Sequence, residues 1–382
     1  MALFRNNAVN RLYVHGALHG FAEAGGGAFI FVFLLKSGLS APLVLCVLAA
    51  ITCCRFALRP LVLPLAGWIG LKRTLILGIL VEAVSYVLLP QVFSMGRLAI
   101  AYLVLGSVGS LIYWTSMHAY TATLGDAEHR GEQTSFREAI TAMVGVLAPL
   151  TGSLALLLLG PQWAFLGAGL IEAAGALPFI GAPEVAIDLS KRNSWEAART
   201  AFGLFLAEGV SAGFSQFTWQ LALFVSLGES FGAYGAAMAA AGLVGAAVAL
   251  VLGRQIDLGR GERAAKIGCG LWMANVVARS FGFGSPVTAV AANILGATVT
   301  PIVVPVMMAR VYNLAKLSAS PLRFHIAGEA GWDIGTALSC LATAGLIAMG
   351  LPFSVPLMLG LLGTAGLYVQ LRASYREAAT AA

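Results

Sequence analysis

Twelve apolar runs of 20 residues or more follow one another along this chain, separated by short polar breaks. A helix needs about 20 apolar residues to cross roughly 30 Å of hydrocarbon, so each run is long enough to span a bilayer. The runs lie near residues 12–35, 42–66, 74–93, 97–123, 136–160 and 162–182. The other six lie near 200–226, 231–252, 263–282, 286–313, 322–349 and 352–372. Breaks such as Lys36-Ser37-Gly38, Gly160-Pro161-Gln162, Ser285-Pro286 and Gly350-Leu351-Pro352 are the Gly, Pro and Ser of tight turns. Nothing alternates in the segments of about 10 residues that a membrane β-barrel requires. The pattern predicts an all-α membrane protein with 12 transmembrane helices. Composition agrees: 59% of residues are hydrophobic and only 10% charged, against about 25% charged in a soluble domain. That balance excludes a water-soluble enzyme, a disordered chain and a nucleic-acid partner; the expected environment is the lipid bilayer.

The basic residues fix an orientation. If the N-terminus is cytoplasmic, sixteen Lys and Arg fall on inward segments, from Arg5 and Arg11 to Arg372 and Arg376. Only Lys36 and Arg97 fall outward. This positive-inside bias predicts both termini in the cytoplasm of a cell whose inner membrane holds the protein. The apolar run after Arg5 and Arg11 is too long for a signal-peptide core, so no cleaved leader is expected. Cys46, Cys53, Cys54, Cys269 and Cys340 all lie within apolar runs and read as small buried hydrophobes.

The longest connection, 183–199, separates two sets of six runs, giving expected units 1–182 and 200–382 joined by that linker. The halves echo each other at a nearly constant offset. Phe33-Leu34-Leu35-Lys36-Ser37 ends the first run as Phe224-Val225-Ser226-Leu227-Gly228 ends the seventh; Tyr120 and Tyr312 close the fourth and tenth; Phe136 and Phe324 open the fifth and eleventh. Two pseudo-symmetric six-helix bundles related by an axis along the membrane normal are a transporter architecture, with the site between them near midplane.

Ionisable residues inside a membrane are costly and therefore informative. His15, His19 and Glu23 stand four apart on the first run, followed by Gly25-Gly26-Gly27, which weaken a helix at that point. They form a candidate protonatable line ending in a midplane carboxylate. The bland alternative leaves His15 at the interface and Glu23 bonded to a neighbouring helix. His325, Glu329 and Asp333 make a second line on the eleventh run, and Arg55 and Arg59 stand four apart on the second. Asp333 and Glu329 are further candidates for proton coupling. Glu82, on the third run, is an alternative partner for Arg55. Tyr113, Trp114, His118, Gln216, Trp219, Gln220 and Asn293 are candidates for a substrate wall. Arg137 and Glu138 read as interfacial, Arg279 as snorkelling to the outer surface, and Glu172 has no role legible in the sequence.

Three loops and one helix carry a family resemblance. Gly253-Arg254-Gln255-Ile256-Asp257-Leu258-Gly259-Arg260-Gly261-Glu262-Arg263, between the eighth and ninth runs, resembles the loop signature of the major facilitator superfamily. Its counterpart between the second and third runs is eroded to Gly67-Trp68-Ile69-Gly70-Leu71-Lys72-Arg73, with Gly67 where an Asp is usual. Asp126 through Glu132 resembles the family's loop between the fourth and fifth runs. Gly145-Val146-Leu147-Ala148-Pro149-Leu150-Thr151-Gly152 is similar to the Gly-Pro segment of its proton-driven exporters, with Ala148 in place of a Gly. The resemblance implies that the second and eleventh helices face each other. Arg55 and Arg59 would then meet Glu329 and Asp333 in an inner gate, with Asp257 as a further candidate.

No nucleophile elbow or phosphate-binding loop is present. The expectation is therefore a non-enzymatic secondary transporter, working as a monomer on a small organic solute and energised by a proton gradient. It would use no cofactor and no metal, and would act as an exporting antiporter rather than an importer. A uniporter or lipid flippase of the same fold is the alternative, and a receptor or scaffold a more distant one.

Overall fold

Glycine and proline set the corners of the molecule. Gly160 turns the chain at φ +85° and Pro161 then occupies the first turn of the next helix, where its missing N–H costs nothing. The computed structural model describes residues 7–92, 96–124, 130–187, 190–191, 195–256 and 261–381. Among these residues there are helices and no strands.

Twelve helical rods follow in order. The first six are α1 (Asn10–Lys36), α2 (Ala41–Ile69), α3 (Leu71–Gln91), α4 (Arg97–Thr123), α5 (Arg130–Leu158) and α6 (Pro161–Ala174). Then come α7, built from Trp195–Ser211 and Thr218–Ser226, α8 (Phe231–Ile256) and α9 (Gly261–Gly282). The last three are α10 (Pro286–Leu317), α11 (Pro321–Ala348) and α12 (Ser354–Ala381).

Nine of the described rods are long and apolar enough by themselves to cross a membrane; α6, α7 and α9 are not among them. The regular part of α6 stops after 14 residues, ahead of the Leu177–Phe179 turn. A wide turn over Ala212–Phe217 divides α7 into pieces of 17 and 9 residues, and α9 carries Glu262, Arg263, Lys266 and Arg279. Each lies against neighbours that complete the bundle.

The glycine run in α1 does interrupt it. The α-helix ends at Gly25, a tight turn spans Gly27–Phe29, and the helix resumes at Ile30. Close approach also explains the Gly-Pro segment of α5. A Cβ on Gly152 would strike the backbone of Gly25 in α1. One on Gly242 in α8 would strike the backbone of Gly145.

Five helix pairs join the first six rods to the last six: α5 with α8, α2 with α11, α4 with α11, α4 with α10, and α1 with α7. At the end of α1 away from the chain termini the contact is apolar. Phe29 packs edge-on to Tyr234 at 5.5 Å, Phe31 meets Phe217 at 5.7 Å, and Tyr234 donates to the Ala28 carbonyl. Nearer the middle of the rods the contact becomes ionic.

Candidate functional site

Arg55 lies near the middle of α2 and Asp333 near the middle of α11, and both are buried. Arg55 Nε donates to Asp333 Oδ1 at 2.8 Å. One helical turn on, Arg59 donates from Nε to Asp333 Oδ2 at 2.9 Å, and its Nη2 contacts the same oxygen. Arg59 Nη1 reaches Glu329 Oε2 at 3.2 Å and Thr115 Oγ1 at 3.1 Å. Four charges of two helices are thus matched two against two across the halves. The spacing of four residues on each helix makes this possible, since it places each pair on one face. Trp332 lies under the Arg55 guanidinium, 5.3 Å from it. Toward the termini, His118 Nδ1 is 2.8 Å from Glu329 Oε1 and His325 Nδ1 is 3.2 Å from it.

A second polar cluster lies wholly within the first six rods. His19 Nδ1 contacts both carboxylate oxygens of Glu172 at 3.0 and 3.1 Å, and both residues are buried. Glu172, which the sequence leaves unexplained, is the hydrogen-bond partner of His19 on α1. Glu23 and Glu82 belong to the same cluster. Glu82 is buried with its Oε2 unpartnered, and His19 Nε2 is likewise unpartnered. Tyr86 donates to Glu23 Oε1 at 3.1 Å. The Tyr113 ring lies tilted 4.3 Å from the His19 ring, and Trp114 bridges the clusters, 5.6 Å from His19 and 5.5 Å from His118.

The line expected along α1 is not a continuous relay. His15 bonds sideways to the Gly175 carbonyl and to the Tyr113 hydroxyl, His19 to Glu172, and Glu23 to Tyr86. Consecutive members are one helical turn apart and share no hydrogen bond with each other, although the His15 and His19 rings stack at 5.7 Å. Nor does Arg55 bond Glu82; its carboxylate is Asp333.

The substrate-wall residues divide as well. Tyr113, Trp114 and His118 line the region between the two clusters. Trp219 is buried and donates to Asn293 Oδ1 at 3.1 Å, while Asn293 donates to the Ala237 carbonyl. These two residues hold α7, α8 and α10 together. Gln216 is exposed on the wide turn of α7, and Gln220 keeps a buried Oε1 without a partner. Arg279 does not snorkel: it donates to the Ser215 carbonyl at 3.1 Å and covers the Trp219 ring. The wide turn of α7 is what brings that carbonyl to it. Asp257 and the side chains of Arg137 and Glu138 lie outside the described residues. Sequence reasoning missed Thr115 and Trp332; both flank the arginines, but a lone Thr or Trp in an apolar helix carries no distinguishing signal.

The family model described as Major Facilitator Superfamily matches residues 16–339. Among solved structures, the chain is similar to the human organic anion transporter MFSD10 (TETRAN), at 17% identity and a TM-score of 0.64, covering 97% of this chain and 99% of that one. It is similar to the nucleoside transporter NupG, at 11% identity and 0.67, covering 97% and 100%. A POT family transporter in complex with 5-aminolevulinic acid matches at 11% identity and 0.69, covering 95% and 94%. At these identities the likeness is one of fold. No curated protein matches the chain.

Proposed function

The chain belongs to the Major Facilitator Superfamily, and we propose that it is a proton-coupled secondary transporter that moves a small organic solute by alternating access. The observation that carries this reading is the charge bridge of Arg55 and Arg59 with Asp333 and Glu329. A buried ion pair is a poor way to gain stability, because desolvation offsets most of the attraction. Four such groups between two bodies make better sense as a latch, satisfied when the halves close at this level and opened by water when they part.

The charge balance favours protons as the coupling ion. The two arginines are neutralised across the halves, leaving Glu23, Glu82 and Glu172 around His19 with no Lys or Arg bonded to them among the described residues. Carboxylates held in low dielectric load and release protons as water gains and loses access. In this reading Glu23, half-buried beside the α1 interruption, is the group that exchanges with solvent. His19 and Glu172 stay bonded to each other, and the bridge residues are spent on the latch. The Gly-Pro segment of α5 favours export over uptake, with both termini and the 183–199 linker on the cytoplasmic side of an inner membrane.

Proteoliposome transport of a compound panel, with and without an imposed pH gradient, tests the reading. Gradient-driven accumulation that collapses with a protonophore is the expected result. Movement that only equilibrates, gradient or not, would identify a uniporter instead.

A further inference from the structure

His118 on α4 and His325 on α11 face each other across the two halves with ring centroids 5.5 Å apart, and Glu329 closes the triangle. One donor atom from each lies within 4.8 Å of the other two. The His118 and His325 Nδ1 atoms are 2.8 and 3.2 Å from the same Glu329 oxygen. Ligands held at about 2.0–2.1 Å around one tetrahedral ion sit roughly 3.3 Å apart, close to these two separations to Glu329.

His325 adds an independent sign. It is fully buried, its Nδ1 faces Glu329 without hydrogen-bond geometry, and its Nε2 has no hydrogen-bond partner. Leaving a buried donor or acceptor unmatched is costly, and such groups call for a ligand. Two imidazoles and a carboxylate suit zinc, cobalt or nickel rather than calcium or magnesium, which prefer oxygen alone. Arg59 holds the far oxygen of Glu329 and so orients the carboxylate. Its positive charge also limits affinity, which suits an exchangeable ion rather than a permanent one. The cluster lies toward the end of the bundle that holds the chain termini. His325 and His118 lie four and five residues from the ends of their helices there, and the His118 side chain is 15% exposed.

We infer that His118, His325 and Glu329 form a site for a divalent transition-metal cation of the zinc class, which ties the two halves together and arrests the transport cycle. The binding stands on geometry alone; the arrest rests on the alternating-access reading, and the test separates them.

Full-length protein with any affinity tag removed is titrated with Co2+, whose ligand-field bands report imidazole and carboxylate coordination, and then with Zn2+ in competition. The wild type shows saturable bands that Zn2+ displaces. Apparent affinity falls at least roughly tenfold in His325→Asn and in His118→Asn. The melting temperature of each metal-free variant serves as the folding control. Should His325→Asn not fold, His118→Asn, at the partly exposed position, carries the test. Absence of bands in the wild type, or bands unchanged in the variants, overturns the site. In proteoliposomes, Zn2+ supplied at the His118 side lowers the wild-type rate, and the ratio of rates with and without Zn2+ returns toward one in His118→Asn. Saturated binding with an unchanged rate overturns the arrest.

Discussion

Asp333 accepts from both arginines while Glu329 accepts from only one, so the two acids are not equivalent. Asp333→Asn leaves Arg55 with no carboxylate, whereas Glu329→Gln leaves each arginine still on Asp333. Breaking one partner of a buried pair typically costs about 3–5 kcal/mol. Asp333→Asn should therefore slow transport more than Glu329→Gln. The reciprocal exchange of Arg55→Asp with Asp333→Arg should recover part of the lost rate. Exchange of Arg55 with Glu82 should recover none, because Glu82 belongs to the other cluster. A transport assay of the four variants checks the order. Glu23→Gln should abolish accumulation driven by a pH gradient while substrate exchange continues; accumulation that persists would remove Glu23 from the coupling role. Both charge lines were legible in the sequence, since residues four apart on one helix share a face whatever surrounds them. The partner of His19 was not, because the rotation of α6 against α1 is set by packing around Gly175 and Pro178. The mutual bond of Trp219 and Asn293 was not legible for a related reason: polarity marks a residue as needing a partner and does not say whether that partner is substrate or protein.

Elements show the same boundary between local and distant information. The loop between α2 and α3 has Gly67 where its resembled family carries an Asp, which reads as a lost charge. The structure supplies a carboxylate from elsewhere. Glu184 Oε1 accepts from the Lys72 backbone N–H at 2.8 Å, at the N-terminus of α3, and its carboxylate lies against Gly70. An acid in that place satisfies an orphan donor and complements the helix dipole. Glu184 follows 112 residues after Lys72, so no inspection of the loop itself could reveal it. Glu184→Ala should lower stability by about 1 kcal/mol, read as a fall in melting temperature, with Glu184→Gln retaining part of it. The α5–α8 contact makes a steeper forecast. Gly242→Val drives a side chain into the backbone of Gly145, and overpacking of this kind costs about 1–3 kcal/mol. Replacement of Gly270, which has nothing within 4 Å of a Cβ, is the control, and it should melt as the wild type does.

At the scale of the whole molecule, the helix count and the duplication followed from hydropathy and spacing, because a bilayer leaves a chain few alternatives. How the halves meet depended on contacts between helices far apart in sequence: an aromatic clasp at one level and a charge bridge at another. Orientation remains a prediction from the basic residues. A cysteine at exposed Lys191 should resist impermeant labelling from outside intact cells, and ready labelling would invert the topology. The bridge as latch is tested most directly by the distance between spin labels placed by Arg73→Cys on α3 and Leu317→Cys on α10. Both positions are exposed at the same end of the bundle, and the five native cysteines are replaced by Ala. A shift of about 5.5 kcal/mol carries a two-state equilibrium from 1:99 to 99:1, so loss of the bridge should move much of the population. With Asp333 intact the short distance should dominate, and Asp333→Asn should add a longer one at its expense. A distribution that Asp333→Asn leaves unchanged would contradict the account.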